Sequence, residues 1–254
     1  MRFIAKLDEC FDRNDMKAAC EWIESRKKEA RDIGDDRGLL TVLNEAVGYY
    51  RRTQKRGKAD KAMRESLDLV EKLGLSQTLS GATIFINAAT TLSFFGEEEK
   101  GLALYDKAAK VYEQEGRIET YEYAALLNNK AGALYTLKRY DEAERDWKKS
   151  IEILCKIGRH AGEIAISLVM LAHLTFNRDN TSYDRVESLL DEAWEYINSD
   201  DQSKDGNYAY VLRKCAPSFD YFKRRDEAEA MREVAKEIYN DNKEGDVLWK
   251  TDMN

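Results

Sequence analysis

Proline is all but missing from this chain: Pro217 is the single one in 254 residues. Proline breaks helix interiors, so its scarcity fits a chain that is helical nearly throughout. Histidine is almost as rare. His160 falls in an expected turn and His173 within an expected helix, and neither has a Cys or His partner at metal-ligand spacing. The four cysteines, Cys10, Cys20, Cys155 and Cys215, form no C-x-x-C pair. In so helical a chain they read as reduced and mostly packing residues, which points to an intracellular, cytoplasmic protein. No run of about 18 apolar residues exists to span a bilayer. The start, MRFIAKLDECFDRND, brings charge too soon for the apolar stretch of a signal peptide. Positive charge is in deficit as well. A net charge of −7 and a pI of about 5.2 argue against general nucleic-acid binding, which needs a basic face to neutralise phosphates.

The signatures of chemistry are missing too. No G-x-x-x-x-G-K-[ST] occurs, since Gly57-Lys58 is followed by Ala59, and there is no G-x-G-x-x-G or G-x-S-x-G. The segment D-Q-S-K-D-G (201–206) opens like a calcium loop. Its twelfth position, which must supply a bidentate Glu, holds Leu212, so it reads as a polar turn. Carboxylate pairs abound, but 48 acidic residues make pairs by chance, mostly on solvated outer helix faces. The chain is therefore expected to be no enzyme and to hold no metal or cofactor. Apolar residues at 43% and charged residues at 35% exclude a disordered or membrane-embedded chain.

What is present is repetition. LNNKAGALYTLKRYDEAERDWKKSIEIL (127–154) aligns with FINAATTLSFFGEEEKGLALYDKAAKVY (85–112) and with LNEAVGYYRRTQKRGKADKAMRESLDLV (43–70), each 42 residues apart. Small residues coincide: Ala59, Gly101 and Ala143, then Ser66, Ala108 and Ser150. The pattern continues with drift. YDRVESLLDEAWEYI (183–197) places Val186 and Ala193 at the two small positions, and RRDEAEAMREVAKEIY (224–239) places Ala228 and Ala235 there. Their partners are EIAISLVMLAHLTF (163–176) and YAYVLRKCAPSFDYF (208–222). NDMKAACEWIESRKKEA (14–30) brings Ala18, Trp22 and Ser25 into register, behind a weak first helix at FIAKLDECF (3–11). Apolar residues recur at helical spacing, and Gly-, Asn- and Asp-containing turns separate the segments. Six helical hairpins are expected, starting near residues 2, 38, 80, 122, 163 and 207. They make one repeat domain over 1–240, with a short tail at 241–254. Such units bury their apolar faces only by stacking, which builds a long surface and not a catalytic pocket.

These residues resemble the tetratricopeptide repeat. Ala131, Ala143, Trp147 and Ser150 match its small residue in the first helix and its small–aromatic–small series in the second, as do Ala89, Gly101, Tyr105 and Ala108. Gly96 and Tyr140 stand where the family places a turn glycine and an aromatic. The 42-residue spacing exceeds the usual 34 and is similar to the longer kinesin-light-chain type, for which Leu-Asn-Asn (127–129) is also typical. The family's helix-A tryptophan and terminal proline are missing. The resemblance implies an all-α, right-handed superhelix whose first helices line a concave groove for extended or helical peptides.

Carried over by position, the groove displays Asn44 and Arg51 in hairpin two and Thr83, Asn87 and Thr90 in hairpin three. Hairpin four adds Asn128, Gly132 and Tyr135, hairpin five Arg178, and hairpin six Arg213. Amides can grip a peptide main chain, because each both donates and accepts; a cap or local backbone bond is the alternative role for each. Arginines add bidentate capture of carboxylates. RRTQKRGKADK (51–61) holds six basic residues across the turn of hairpin two, either as a solvated turn or as an anion-facing rim. The family's Lys–Asn–Arg clamp for a C-terminal carboxylate is not found, since hairpins three and four lack basic residues at the matching places. The expected partner is a protein or peptide segment, with no nucleic acid and no membrane. The alternative is the ligand-sensing part of a bacterial peptide-responsive regulator. Such receptors carry a DNA-binding or helical effector domain for which there is no room before Phe3. A structural scaffold or homo-oligomer is a third reading.

Overall fold

The computed structural model describes residues 3–13, 15–199 and 204–241. The expected tail from 242 onward and residues 201–203 of the calcium-loop-like segment lie outside the described residues. Among the described residues every regular element is an α-helix, and the helices pair in sequence. Hairpin one is α1 (Phe3–Asp12) with α2 (Met16–Asp32), and hairpin two is α3 (Asp36–Arg52) with α4 (Arg56–Lys72). Hairpin three is α5 (Leu79–Phe94) with α6 (Glu98–Gln114), and hairpin four is α7 (Tyr121–Thr136) with α8 (Tyr140–Ile157). Hairpin five is α9 (Ala161–Arg178) with α10 (Tyr183–Ile197), and hairpin six is α11 (Gly206–Tyr221) with α12 (Arg225–Asp241). Two compact units result, Met1–Ile118 with hairpins one to three and Glu119–Asn254 with hairpins four to six. No described helix is long and apolar enough to cross a membrane.

The hairpins close at one recurring position. Counting from its N-cap, the fourth residue of each second helix is Ala19, Ala59, Gly101, Ala143, Val186 or Ala228, and each is buried. A Cβ built on Gly101 would stand 2.8 Å from Ser93 Oγ and 3.0 Å from the Ala89 carbonyl oxygen on the facing helix. In hairpin three that separation leaves no room for a branched side chain. Seven residues later the position is again small in five hairpins: Ser66, Ala108, Ser150, Ala193 and Ala235 are all buried. Ser150 Oγ donates to the Ala124 carbonyl at 2.9 Å, tying α8 to α7. Between these sites sit the fillers Ile23, Met63, Tyr105, Trp147 and Leu190, all buried.

Hairpin one corrects the sequence register by one residue. Ala18, Trp22 and Ser25 were expected on the closing face, but Ala19 and Ile23 occupy it while Ser25 is exposed. The cause is the cap. Asp15 Oδ1 accepts from the Ala18 amide at 2.8 Å, which starts α2 so that Ala19 falls on the closing turn. Trp22 lies at the side, donating Nε1 to the Phe3 carbonyl at 3.2 Å with Arg26 over its ring.

The turns inside hairpins need left-handed backbone. Gln54, Gly96, Lys138 and Lys223 have φ of 53°, 80°, 61° and 70° at equivalent places. In each turn the next amide reaches back to a carbonyl one turn inside the first helix, for example Arg139 N to Leu134 O at 2.9 Å and Glu97 N to Leu92 O at 2.9 Å. Only Gly96 meets this requirement without a Cβ penalty. Pro217 sits inside α11 on its exposed side, where the Arg213 carbonyl it releases can face water.

Two outcomes follow for stability. Ala143→Leu should overpack hairpin four and lower stability by about 1–3 kcal/mol, read as a lower urea midpoint. Lys138→Gly should relieve the left-handed strain and raise stability by about 0.5–1 kcal/mol, read as a higher melting temperature.

Candidate functional site

First helices of neighbouring hairpins stack within each unit, α3 against α5 in one and α9 against α7 and α11 in the other. Residues about one repeat apart therefore face each other. In the unit Met1–Ile118, Asn87 Nδ2 donates to Asn44 Oδ1 at 2.7 Å, and Asn44 Nδ2 donates to Glu45 Oε1 at 3.2 Å. Both amides are half-buried. Arg51 Nη1 donates to Thr91 Oγ1 at 3.3 Å, and Thr91 donates in turn to the Asn87 carbonyl at 2.8 Å. Thr90 Oγ1 bonds the Ile86 carbonyl at 2.8 Å and lies 2.9 Å from the Tyr105 hydroxyl. Thr83 is exposed and donates to the Leu79 carbonyl at 3.1 Å. The structure thus gathers Asn44, Asn87 and Arg51 on the α3–α5 face, with Thr91 joining Arg51 to the Asn87 carbonyl, whereas Thr90 meets Tyr105 of α6.

In the unit Glu119–Asn254 the faces differ. Asn128 Oδ1 accepts from Ser167 Oγ at 3.0 Å, joining α7 to α9. Tyr135 accepts at its hydroxyl from Asn177 Nδ2 at 2.5 Å. Burial, with Tyr140 and Tyr221 nearby, pushes the Tyr135 phenol upward, so it remains a neutral hydroxyl at physiological pH. Between them Gly132 is half-buried, and an added Cβ there would meet nothing within 4 Å. Arg213 is half-buried on α11. Arg178 ends α9 and is held from the second-helix side, donating to Asp141 at 2.8 Å and to Glu144 at 2.6 Å.

Sequence reasoning passed over Thr91, Ser167 and Asn177, although they stand 40, 39 and 42 residues from Arg51, Asn128 and Tyr135. The repeat length itself was the signal. It also passed over an aromatic group where α9 meets α11. His173 Nε2 lies 2.9 Å from Ser218 Oγ, and its ring is 4.8 Å from Phe222 and 5.3 Å from Tyr221. Phe176 is 5.9 Å from Tyr221 and 5.7 Å from Phe222. Burial lowers the His173 pKa, favouring neutral imidazole. His160 caps α9 and stacks on Tyr121 at 4.5 Å. Cys10 and Cys215 are buried, whereas Cys155 is exposed beside the Tyr196 hydroxyl. Among the described residues no group of three or more His, Cys, Asp or Glu is arranged to hold a metal ion.

Residues 124–157, most of hairpin four, match the family model of the tetratricopeptide repeat. No curated protein matches the chain. Among solved structures, BtubC (BKLC) from P. vanneervenii aligns with a TM-score of 0.62 at 18% identity, over 91% of this chain and 91% of that one. The nearly identical TPR-like repeats of a Podosopora anserina kinesin light chain align with a TM-score of 0.57 at 16% identity, over 80% and 95%. A Rap protein complexed with Competence and Sporulation Factor aligns with a TM-score of 0.56 at 16% identity, over 96% and 75%. Such likeness is one of fold. The chain has a tetratricopeptide-type solenoid fold with long repeats of the kinesin-light-chain kind.

The Glu144 cluster generates a pH-dependent outcome. Lys148 donates to Glu144 at 2.7 Å, Arg178 at 2.6 Å and Arg185 at 3.0 Å. These contacts, the Lys148 hydrogen bond foremost, pull its pKa from 4.5 to about 2. A carboxyl depressed in the folded state contributes stability above its unfolded pKa and loses it as pH falls through the folded value. Glu144→Gln should therefore cost about 1 kcal/mol at neutral pH, a figure discounted for the exposed cations. The difference from the unsubstituted protein should vanish between about pH 4.5 and 2, as read from urea midpoints across that range.

Proposed function

We propose that this protein binds a peptide or protein segment along the faces of its first helices. In Met1–Ile118 the face is α3 with α5, and in Glu119–Asn254 it is α7, α9 and α11. The observation that carries the reading is the set of half-buried amides and hydroxyls on these helices, Asn44 with Asn87 and Asn128 with Tyr135. Each amide offers two donors and two acceptor positions. Asn44 spends one of each on Asn87 and Glu45, which leaves capacity for a main chain. The open space over Gly132 would admit a backbone close to α7. Thr83 and Thr90 would border the same segment on α5. Arg51, Arg178 and Arg213 would add donors at the margins, since a guanidinium carries five N–H groups and one or two existing bonds do not exhaust it.

A second reading has support from the likeness, over 96% of this chain, to a Rap protein complexed with Competence and Sporulation Factor. Under it the bound peptide is a signal, and the chain is the sensing part of a bacterial peptide-responsive regulator. Both readings make the protein a non-enzymatic binding module of the cytoplasm.

The test begins with affinity capture from the native cell and identification of the bound segment as a synthetic peptide. Replacing Asn87 and Asn128 together by Ala removes one amide contact in each unit. It should weaken that peptide by about five- to hundredfold. Helical dichroism should stay unchanged. Unchanged affinity in a folded double variant would remove the first-helix faces from consideration.

A further inference from the structure

We propose that the turn of hairpin two is a docking surface for a short acidic peptide segment, held by Arg52, Lys55, Arg56 and Lys58. The proposal rests on the peptide-binding reading and adds the chemistry of one part of the ligand. Residues 1–118 hold 21 Lys and Arg against 21 Asp and Glu, so this unit is neutral and the whole of the −7 belongs to residues 119–254. Within the neutral unit, residues 51–61 concentrate six cations against one carboxylate, Asp60. The link between α3 and α4 is only residues 53–55, with Gln54 at φ 53°, so these cations share one end of the hairpin.

Each of the four stands over an aromatic ring. Arg52 lies 5.4 Å from Phe11, Lys55 5.6 Å from Tyr49, Arg56 5.6 Å from Phe95 and Lys58 5.6 Å from Tyr50. Tyr49 and Tyr50 are buried and meet edge to face at 5.3 Å, so the platform beneath the lysines is fixed. A cation on a ring face keeps its N–H groups for an anion and has less rotamer freedom left to lose when one arrives. Arg56 also bridges to Glu97 at 2.5 Å. Among the described residues Arg52 and Lys55 make no ion pair, while Lys58 feels the charge of Glu24, the carboxylate that accepts from the Tyr50 hydroxyl.

The placement runs against helix electrostatics. The second helices of hairpins three to six carry acid in their first turns: Glu98 and Glu99, Asp141 and Glu142, Asp184, and Asp226 and Glu227. Carboxylates there complement the positive end of the helix dipole. α4 has none; Arg56 and Lys58 take those places, and its N-cap, Lys55, makes no side-chain cap bond. An incoming carboxylate would meet the helix end, its amides and the side-chain cations together.

The flanks decide the class of anion. Glu97, Glu98 and Glu99 follow in hairpin three, and Glu9 and Asp15 lie in hairpin one, whose Phe11 underlies Arg52. Adjacent helices pack about 10 Å apart. A few carboxylates of a peptide fit that width, whereas a nucleic acid or an anionic bilayer would extend over the flanking acids and be repelled.

The experiment uses the full chain and a fluorescent peptide of alternating glutamate and serine, with its glutamine counterpart as control, read by anisotropy at low and physiological salt. The glutamate peptide should bind at least about tenfold more tightly than the glutamine peptide, with the difference shrinking in salt. The triple variant Arg52→Gln, Lys55→Gln, Lys58→Gln should lose about tenfold in affinity for it. Its melting temperature should not fall. The charge-matched variant Lys28→Gln, Lys107→Gln, Lys110→Gln should bind as the unsubstituted protein does. Equal binding of the two peptides, an unaffected turn variant, or an equal loss in the charge-matched variant would overturn the proposal. So would single-stranded DNA or phosphatidylserine vesicles outcompeting the glutamate peptide at the turn. Loss of glutamate-peptide binding in the Asn87→Ala, Asn128→Ala variant with none in the turn variant would move docking to the helix faces. The reverse pattern would leave the turn standing while the first-helix reading falls.

Discussion

Everything in this protein depends on how closely the two helices of each hairpin approach where the second one begins. At that point the facing side chain is Ala59, Gly101, Ala143, Val186 or Ala228, and nothing larger than valine is found. Side chains lean toward a helix N-terminus, so a residue in the first turn projects straight at the neighbouring helix. Once the helices meet there, the large residue four positions on has its place set. Trp147 and Tyr105 become buried plugs in hairpins four and three, and Leu190 does the same work in hairpin five.

Closure at that point sets the next level. Hairpins of nearly constant length stack so that each first-helix residue faces its counterpart about one repeat later. Asn44 meets Asn87, Arg51 meets Thr91 and Tyr135 meets Asn177 by that rule. Polar groups on a half-buried face must be satisfied, and here they partly satisfy one another. A ligand on these faces would join a network already aligned, which lowers the ordering cost of binding.

Charge is arranged with a similar logic and one break in it. Acid at the start of the later second helices complements their dipoles, and basic side chains from neighbouring elements bind those acids, as Arg178 binds Asp141. Hairpin two inverts the scheme with Arg56 and Lys58, and it does so in the unit with no net charge. A stable array does not require this inversion, so the turn stands apart as a surface with something to recognise.

The sequence by itself determined the helical class, the presence of six hairpins and the small–large–small series that closes them. These depend on local propensity and on a period that survives translation by 42 residues, both properties of a linear string. Hairpin one was misread by one residue because Trp22 looks like a core plug. What decided against it was the Asp15 cap, a bond between a side chain and a backbone amide that periodicity does not weigh. The first-helix residues expected to line a groove were legible as a row of equivalent positions, but not their partners. Whether Asn87 faces solvent or Asn44, and whether Arg178 faces a groove or Glu144, depends on distances of a few ångströms between segments some 34 to 43 residues apart. Only the tertiary structure decided that, because stacking brings together side chains whose separation in the chain carries no direction.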